Sequence, residues 1–368
     1  MRILHASHTH MKSLGARNYF LPVRINNGFI RNNHEVYWFS DRDMARYSSL
    51  FGSRKTGVGA CNRKFLEVCR NFEPDVIALC SADIIKPETL AEARRILPNV
   101  AIFQYYIDAL FISDNVHDAR SKADVLDHAF VTTAGPVIAC IAGSRSAVSF
   151  IPNAVDSSID VHRCHERTDQ AFDVFFAGHV SGWSDPGDLR GRAPLLIQER
   201  LPEVRCSAHG LGVGKPLYGA AFMRALGEAK IGLNFSQRTL KAKSGPGGEL
   251  YLYSSDRIGL YQGNGLLVFS TSAFSLGELY GSDALVEVDG ADDFIEKLRF
   301  YLQNDAERQK VARTGYELAH REFNERLVSQ YMIEVTLELP LSHAYVWPLE
   351  RYYQQASGYT ESNGRPPP

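Results

Sequence analysis

The sequence predicts an α/β protein made of two doubly wound parallel-sheet domains facing a central cleft, and three observations predict it. Short apolar, β-prone runs alternate with amphipathic helical stretches along most of the 368 residues. Strands separated by helices pair in parallel through right-handed crossovers. The alternation pauses once, in the polar stretch 156–171, and then resumes for a second run of similar length. The length itself suits two domains, at about 150 residues each.

In the first half, Arg2–Ser7 is the candidate first strand, and a polar loop follows through Arg17. The amphipathic stretch Asn18–Arg31 ends in Asn32-Asn33, which suits a helix stop. His34–Ser40 (HEVYWFS) is a second strand. Helix Asn62–Asn71 leads through Pro74 into strand Asp75–Cys80. Helix Pro87–Ile96 opens on proline, whose missing N–H costs nothing at the first helical position, and precedes strand Asn99–Tyr106. Short strands Asp127–Thr132 and Val148–Ile151 complete this half.

The second half opens with Phe172–Ala177 (FDVFFA), running into Gly178-His179. Helix Ala193–Leu201, strand Arg205–His209, helix Gly219–Ala229 and strand Ile231–Phe235 follow, then helix Asp256–Gln262 and strand Leu266–Phe269. Leu285–Val288 is a late strand before the periodic helices Asp292–Gln303 and Ala306–Phe323. Arg326–Glu338 and Val346–Gln355 are expected as terminal helices. On this pattern the N-terminal domain covers 1–155, a linker 156–171 and the C-terminal domain 172–335. A return segment over 336–356 packs on the N-terminal domain, and a proline-ended tail over 357–368 is disordered.

Composition narrows the class. An apolar share of 45% with 22% charged residues is that of a soluble globular protein, and a net charge of −2 does not call for nucleic acid. No apolar run approaches the ~20 residues that span a bilayer. The chain opens on a strand rather than on a signal peptide's apolar core. Its six cysteines show neither C-x-x-C nor zinc-like spacing and suit a reducing compartment. A cytoplasmic protein is expected.

Two such halves serve several enzyme classes, and fold alone does not choose among them. The order of local motifs is more specific. Ile151–Asp156 (IPNAVD), Val174–His179 (VFFAGH), Ala229–Asn234 (AKIGLN) and Ser255–Ile258 (SDRI) occur in turn, then Gly265–Val268 and Leu276–Tyr280. Asp292–Gln303, Asp305–Arg308 and Gly315 continue the series. Together these resemble the C-terminal domain of group 1 glycosyltransferases, in the variant found in CgeB-like glycosyltransferases. The resemblance implies the GT-B architecture, two Rossmann-like doubly wound domains facing a central cleft. It implies a nucleotide-sugar donor on the C-terminal domain, and a hydroxyl acceptor (glycan, lipid-linked sugar or small molecule) on the N-terminal domain. Polysaccharide biosynthesis is the implied setting, with no cofactor beyond the donor as substrate. One departure stands out: the two glutamates that many members carry fall near Leu252 and at Leu260, with Glu249 and Asp256 the only acids close by. Donor identity and stereochemical outcome therefore stay open. So do two other readings, a nucleotide-sugar epimerase or hydrolase of the same fold, and a non-catalytic carbohydrate-binding or assembly protein.

Glycosyl transfer must stabilise negative charge on the departing phosphate and hold the acceptor hydroxyl in line. Without metal, cationic side chains and helix N-termini do this. Arg257 opens a predicted helix at the cleft, and Lys241 and Lys243 lie in the glycine-rich loop after strand Ile231–Phe235. Gly178 and His179 end the first strand of the second domain, where backbone approaches phosphate closely. Glu249, Asp256 and Ser270 complete the donor-side set. The structural alternative for Arg257 is a brace paired with Asp256 or Glu249. On the acceptor side, Asp108 is the best acid: a base for the acceptor proton, an orienter of a hydroxyl, or a helix cap. His8 and His10 are candidate acceptor contacts or bases, and with His5 they do not make a metal site. Asp41-Arg42-Asp43 has the Asp-x-Asp form of metal-dependent transferases, but at a turn after strand two it reads as ordinary surface charge. Gly210-Leu211-Gly212-Val213-Gly214 follows a mid-domain strand and is no dinucleotide fingerprint. No metal site is expected.

Overall fold

Strands buried on both faces read as continuous apolar runs, and such runs organise this chain into two parallel sheets. The computed structural model describes residues 1–178, 189–210, 214–236 and 251–354. The first sheet has six strands, β1 (Arg2–Ala6), β2 (Glu35–Phe39), β3 (Val76–Cys80), β4 (Ala101–Tyr106), β5 (His128–Val131) and β6 (Ala147–Phe150), in the order β2-β1-β3-β4-β5-β6. The second has five, β7 (Phe172–Ala177), β8 (Cys206–His209), β9 (Ala229–Asn234), β10 (Leu267–Thr271) and β11 (Val286–Val288), in the order β11-β10-β9-β7-β8. Every strand pair is parallel. In each sheet the order reverses beside the first strand, between β1 and β3 and between β7 and β9. Those reversals open crevices at the strands' carboxyl ends, where ligands of such sheets bind.

Helices α1 (Leu21–Arg31), α2 (Asp41–Tyr47), α3 (Val58–Phe72), α4 (Pro87–Ile96) and α5 (Ser113–Arg120) belong to the first run. The second run holds α6 (Leu189–Arg200), α7 (Gly219–Gly227), α8 (Arg257–Gly263), α9 (Leu276–Tyr280), α10 (Gly290–Gln303), α11 (Asp305–Glu322) and α12 (Glu325–Thr336). No described helix is long and apolar enough to cross a membrane. Asp41-Arg42-Asp43 opens α2 instead of forming a turn, and α5 lies between β4 and β5, where no helix is expected. Both are short and polar, and carry too little apolar periodicity to announce themselves.

Two corrections concern the end of the chain. Helix α12, expected with the second domain, packs on α1 of the first. Gly28 permits this: a Cβ there would stand 2.2 Å from the Glu325 carbonyl oxygen. Asn324 caps α12 by accepting from the Arg326 and Leu327 amides. The expected helix 346–355 does not form over its described residues. Pro348 interrupts the backbone donors, and Tyr352 bridges the free edge of β6 at Val148 with N···O distances of 2.8 and 2.9 Å. Tyr345 and Trp347 are buried on Tyr331 of α12, anchoring this extended return on the first domain.

The polar stretch 156–171 is a packed strut rather than a solvated linker. Asp156, Asp160, Cys164, His165 and Gln170 are buried. Asp160 accepts from Arg24 of α1 at 2.7 Å and from Asn264, just after α8, at 2.9 Å. Asp156 accepts from Asn27 and Arg31, both at 2.7 Å. The polarity of this stretch reports internal pairing, which composition cannot distinguish from solvation. Burial pushes the Asp160 carboxyl above its ordinary range, and the Arg24 guanidinium pulls against that shift. Replacing Asp160 by Asn strands a buried guanidinium. Asp160→Asn should therefore cost about 3 kcal/mol or more of unfolding free energy in urea denaturation. A loss below about 1 kcal/mol would show that the pair does not hold the strut.

Candidate active site in the interdomain cleft

The crevice between β7 and β9 opens into a cavity of about 390 Å³ with walls from both domains. Arg257, the first residue of α8, is 9% exposed and spans the strand reversal. Its Nη2 donates to the Phe235 carbonyl at 2.8 Å, and its Nη1 to the Ala177 carbonyl at 3.4 Å. Nη1 stands 3.0 Å from where a Cβ on Gly178 would lie, so glycine is what lets the guanidinium rest on the end of β7. Nε faces no acceptor among the described residues. No ion pair joins Arg257 to Asp256, whose exposed side chain makes no cap bond to α8. Among the described residues, carbonyls and no carboxylate hold Arg257 in place.

Gly178 and Gly210 bring the loops after β7 and β8 together. At Gly210 φ is +128°, and a Cβ would lie 2.0 Å from the Gly178 carbonyl oxygen. The facing wall comes from the loop after β1. Tyr19 stacks on Phe222 with centroids 4.8 Å apart, and the Arg17 guanidinium lies 5.1 Å from the Phe20 centroid and 4.8 Å from that of Tyr218. The Gly219 amide donates to the Ala16 carbonyl at 2.9 Å, a main-chain bond across the cleft. None of these aromatic contacts was anticipated. The available signal was Tyr19-Phe20, two aromatics in the loop after a first strand. Leu260, where the resemblance puts a glutamate, presents an apolar face to the cavity.

A second cavity of about 270 Å³ lies at the reversal between β1 and β3. It gathers His8, His10, Asp41, Arg42, Asp83 and Asp108 from the first domain and Asp256 from the second. Phe20 and Asp256 line both cavities, so the two are adjoining chambers of one cleft. The His8 and His10 rings lie 3.9 Å apart. Burial lowers both, taking His10, with the added push of His8, to about 4, so both rings are neutral at neutral pH. His5 is apart from them, a core residue hydrogen-bonded to Asn26 at 2.9 Å and Tyr105 at 2.8 Å. Asp108 opens to solvent inside the cleft. The protein crowding its carboxyl, and then the Asp256 carboxylate, raise it above the usual range.

Of the Asp-x-Asp residues, Asp43 is structural, accepting from the Ser40 hydroxyl at 2.6 Å and the Met11 amide at 3.0 Å. Asp41 and Arg42 are site residues that sequence reasoning passed over. Burial, and then Asp83, lift Asp41 to about 6, while Arg42 donates to Asp83 at 2.7 Å. Both follow the carboxyl end of β2, so the rule that marks the other strand-end loops marks them too. Ser270 is a correction. It sits inside β10, fully buried, with its hydroxyl directed at the Asn234 carbonyl at 3.4 Å. His179, Lys241, Lys243 and Glu249 lie outside the described residues. Among the described residues no three His, Cys, Asp or Glu side chains are grouped so as to hold one metal ion.

With this geometry in view, residues 192–333 match the family described as Glycosyl transferase-like. Sucrose-phosphate synthase from Thermosynechococcus elongatus superposes with a TM-score of 0.57 at 10% identity, over 92% of this chain and 99% of that one. AviGT4, a glycosyltransferase involved in avilamycin A biosynthesis, gives 0.56 at 15% identity, over 91% and 97%. Anabaena HepE, solved with UDP and glucose, gives 0.52 at 12%, over 92% and 100%. The fold is GT-B. The match to the glycosyl transferase-like family falls within the part of this GT-B chain that carries α6 to α12. No curated protein sequence matches the chain.

The two carbonyl bonds of Arg257 make its structural role measurable. Lysine keeps the charge but cannot span both acceptors, so Arg257→Lys should lose about 1–3 kcal/mol of stability. An unchanged melting temperature would show that the guanidinium does not tie β7 to β9.

Proposed function

We propose that this chain is a glycosyltransferase that moves a sugar from a nucleotide-sugar donor to a hydroxyl acceptor without a catalytic metal, in the CgeB-like variant of the GT-B fold. The observation that carries this reading is the joining of two strand-reversal crevices in one cleft, with Arg257 in one, Asp108 in the other and Asp256 between them. The presence of UDP in HepE supports a nucleoside diphosphate in the chamber beside β7 and β9. There the departing diphosphate keeps the electron pair of the broken C1–O bond, and its charge is balanced by Arg257. His179, Lys241 and Lys243 follow β7 and β9 in sequence and are assigned to the same charge balance, with Glu249 on the donor side. In the other chamber the acceptor oxygen bonds C1 and its proton passes to the Asp108 carboxylate. Neutral His8 and His10 serve to orient acceptor hydroxyls. Leu260 packs against the donor in place of the usual carboxylate.

A coupled assay tests the reaction. Sugar should leave the nucleotide only when a hydroxyl acceptor is supplied, and excess chelator should not slow it. Acceptor-independent release would identify a hydrolase or epimerase instead, and activity lost to chelator and restored by magnesium or manganese would overturn the metal-free mechanism.

The base assignment has its own signature. Asp108 must be ionised to work, so kcat/KM should fall as pH drops through its raised pKa. The Asp256 charge contributes to that rise. Asp256→Asn should therefore lower the Asp108 pKa and move the acid limb of the profile to lower pH. Asp108→Asn should remove the limb and cut kcat about 100-fold or more. An acid limb that stays put in Asp256→Asn would assign it to another group.

A further inference from the structure

The most exposed large apolar side chains are not scattered. Among the described residues the highest values are Met11 at 67%, Leu14 at 92%, Tyr47 at 83%, Leu50 at 99% and Phe51 at 87% exposed, and every other such side chain is at 63% or below. All five belong to two short segments of the N-terminal domain. The segments are neighbours: the Met11 amide donates to Asp43 on α2, whose last residue is Tyr47, and the loop beyond is closed by a 2.7 Å bond between Ser49 and Thr56. Seven helical residues span about 10 Å, so the two tips share one edge of the molecule.

Charge on the two segments themselves has one sign. Segments 11–16 and 44–57 hold Lys12, Arg46, Arg54 and Lys55 and not one acid, in a chain whose net charge is −2. Facing these segments, Asp43 is spent on Arg46 and on amide and hydroxyl donors, Asp83 pairs with Arg42 and Arg54, and Lys64 lies over the Tyr47 ring. The edge also adjoins the acceptor chamber, because His10 precedes Met11 and Asp41-Arg42 begin the helix that ends at Tyr47.

We propose that this edge docks on an anionic lipid bilayer, with Leu14, Leu50 and Phe51 inserted at the headgroup–acyl boundary and the basic residues on the lipid charges. Single apolar side chains on projecting loops, ringed by cations, fit a deformable interface that closes around each one. A rigid protein face would leave gaps between two such tips. Docked this way, the acceptor chamber opens beside the membrane surface; that consequence rests on the proposed transfer reaction, while the docking itself does not.

Vesicle flotation of the full chain tests it. The chain should float with phosphatidylcholine vesicles containing phosphatidylglycerol, far less with phosphatidylcholine alone, and less again as salt rises. Leu14→Ser, Leu50→Ser and Phe51→Ser together should weaken binding by about tenfold or more, with the melting temperature unchanged because these side chains are already exposed. Lys12→Gln with Lys55→Gln should reduce the advantage of the anionic vesicles. Absence of flotation with either vesicle would overturn the proposal, as would a serine variant that floats like the parent. So would sedimentation showing a dimer that the serine variant dissolves, since the edge would then cover a second copy. Flotation reads no turnover, so a chain that floats but transfers no sugar would refute the proposed function and leave the docking intact.

Discussion

The buried carboxylate of Asp160 sets how the two domains face each other. It meets Arg24 from α1 through both oxygens, Asn264 from beyond α8, and the Asp156 amide within the strut. An ion at that depth is tolerated only with its bonding capacity filled, so each partner's position is imposed on the others. Arg24 also donates to the Ala154 carbonyl and lines the chamber beside Arg257. Interdomain orientation and the shape of the cleft wall thus depend on one ion pair. The cleft is crossed again by the Ala16–Gly219 bond and the rings of Tyr19 and Phe222. A closing motion that pivots at the strut would have to break buried charge pairs, whereas the second crossing involves one main-chain bond and an aromatic stack.

Much of the fold was legible because parallel strands covered on both faces must be apolar throughout. VIALC and AIFQYY admit no other economical reading, and their spacing dictates crossovers. What escaped lies where tertiary partners override local pattern. Helices α2 and α5 are too short and polar to show a face. The strut looks solvated because its carboxylates and the arginines that answer them are more than a hundred residues apart. Helix α12 has an amphipathic pattern that suits either domain, and it is the close approach at Gly28 together with the Arg31 and Asn32 side chains that holds it on the first. The segment around Tyr352 reads as helix by composition, yet an open strand edge at Val148 offers its backbone better partners.

The candidate site was legible to the extent that strand ends were. Asp108, Arg257, His8, His10, Gly178 and Asp256 all reach the cleft because each lies at or beyond the carboxyl end of a strand or at a helix start facing one. Ser270 failed by one position: β10 continues to Thr271, which leaves that hydroxyl inside the sheet. Asp41 and Arg42 were passed over because the Asp-x-Asp pattern was weighed only as a metal motif. The pairing of Arg17 with Tyr218 joins residues of different domains, and no local pattern contains it.

Charge divides the cleft in the way the proposed reaction requires. Among the described residues, one chamber is lined by Arg17, Arg24 and Arg257, and the other by Asp41, Asp83 and Asp108 together with Arg42. For the proposed reaction, Coulomb's law would favour a diphosphate in the first chamber and leave the second to an uncharged hydroxyl. Asp256 borders both, and its effect on Asp108 links the halves chemically: its negative charge makes the opposing carboxylate a stronger base. A positive charge at that border would have the reverse effect, holding Asp108 ionised at lower pH but too weakly basic to take an alcohol proton. For the proposed reaction, an acid there raises proton affinity at Asp108, while Arg17, Arg24 and Arg257 outnumber it in the other chamber.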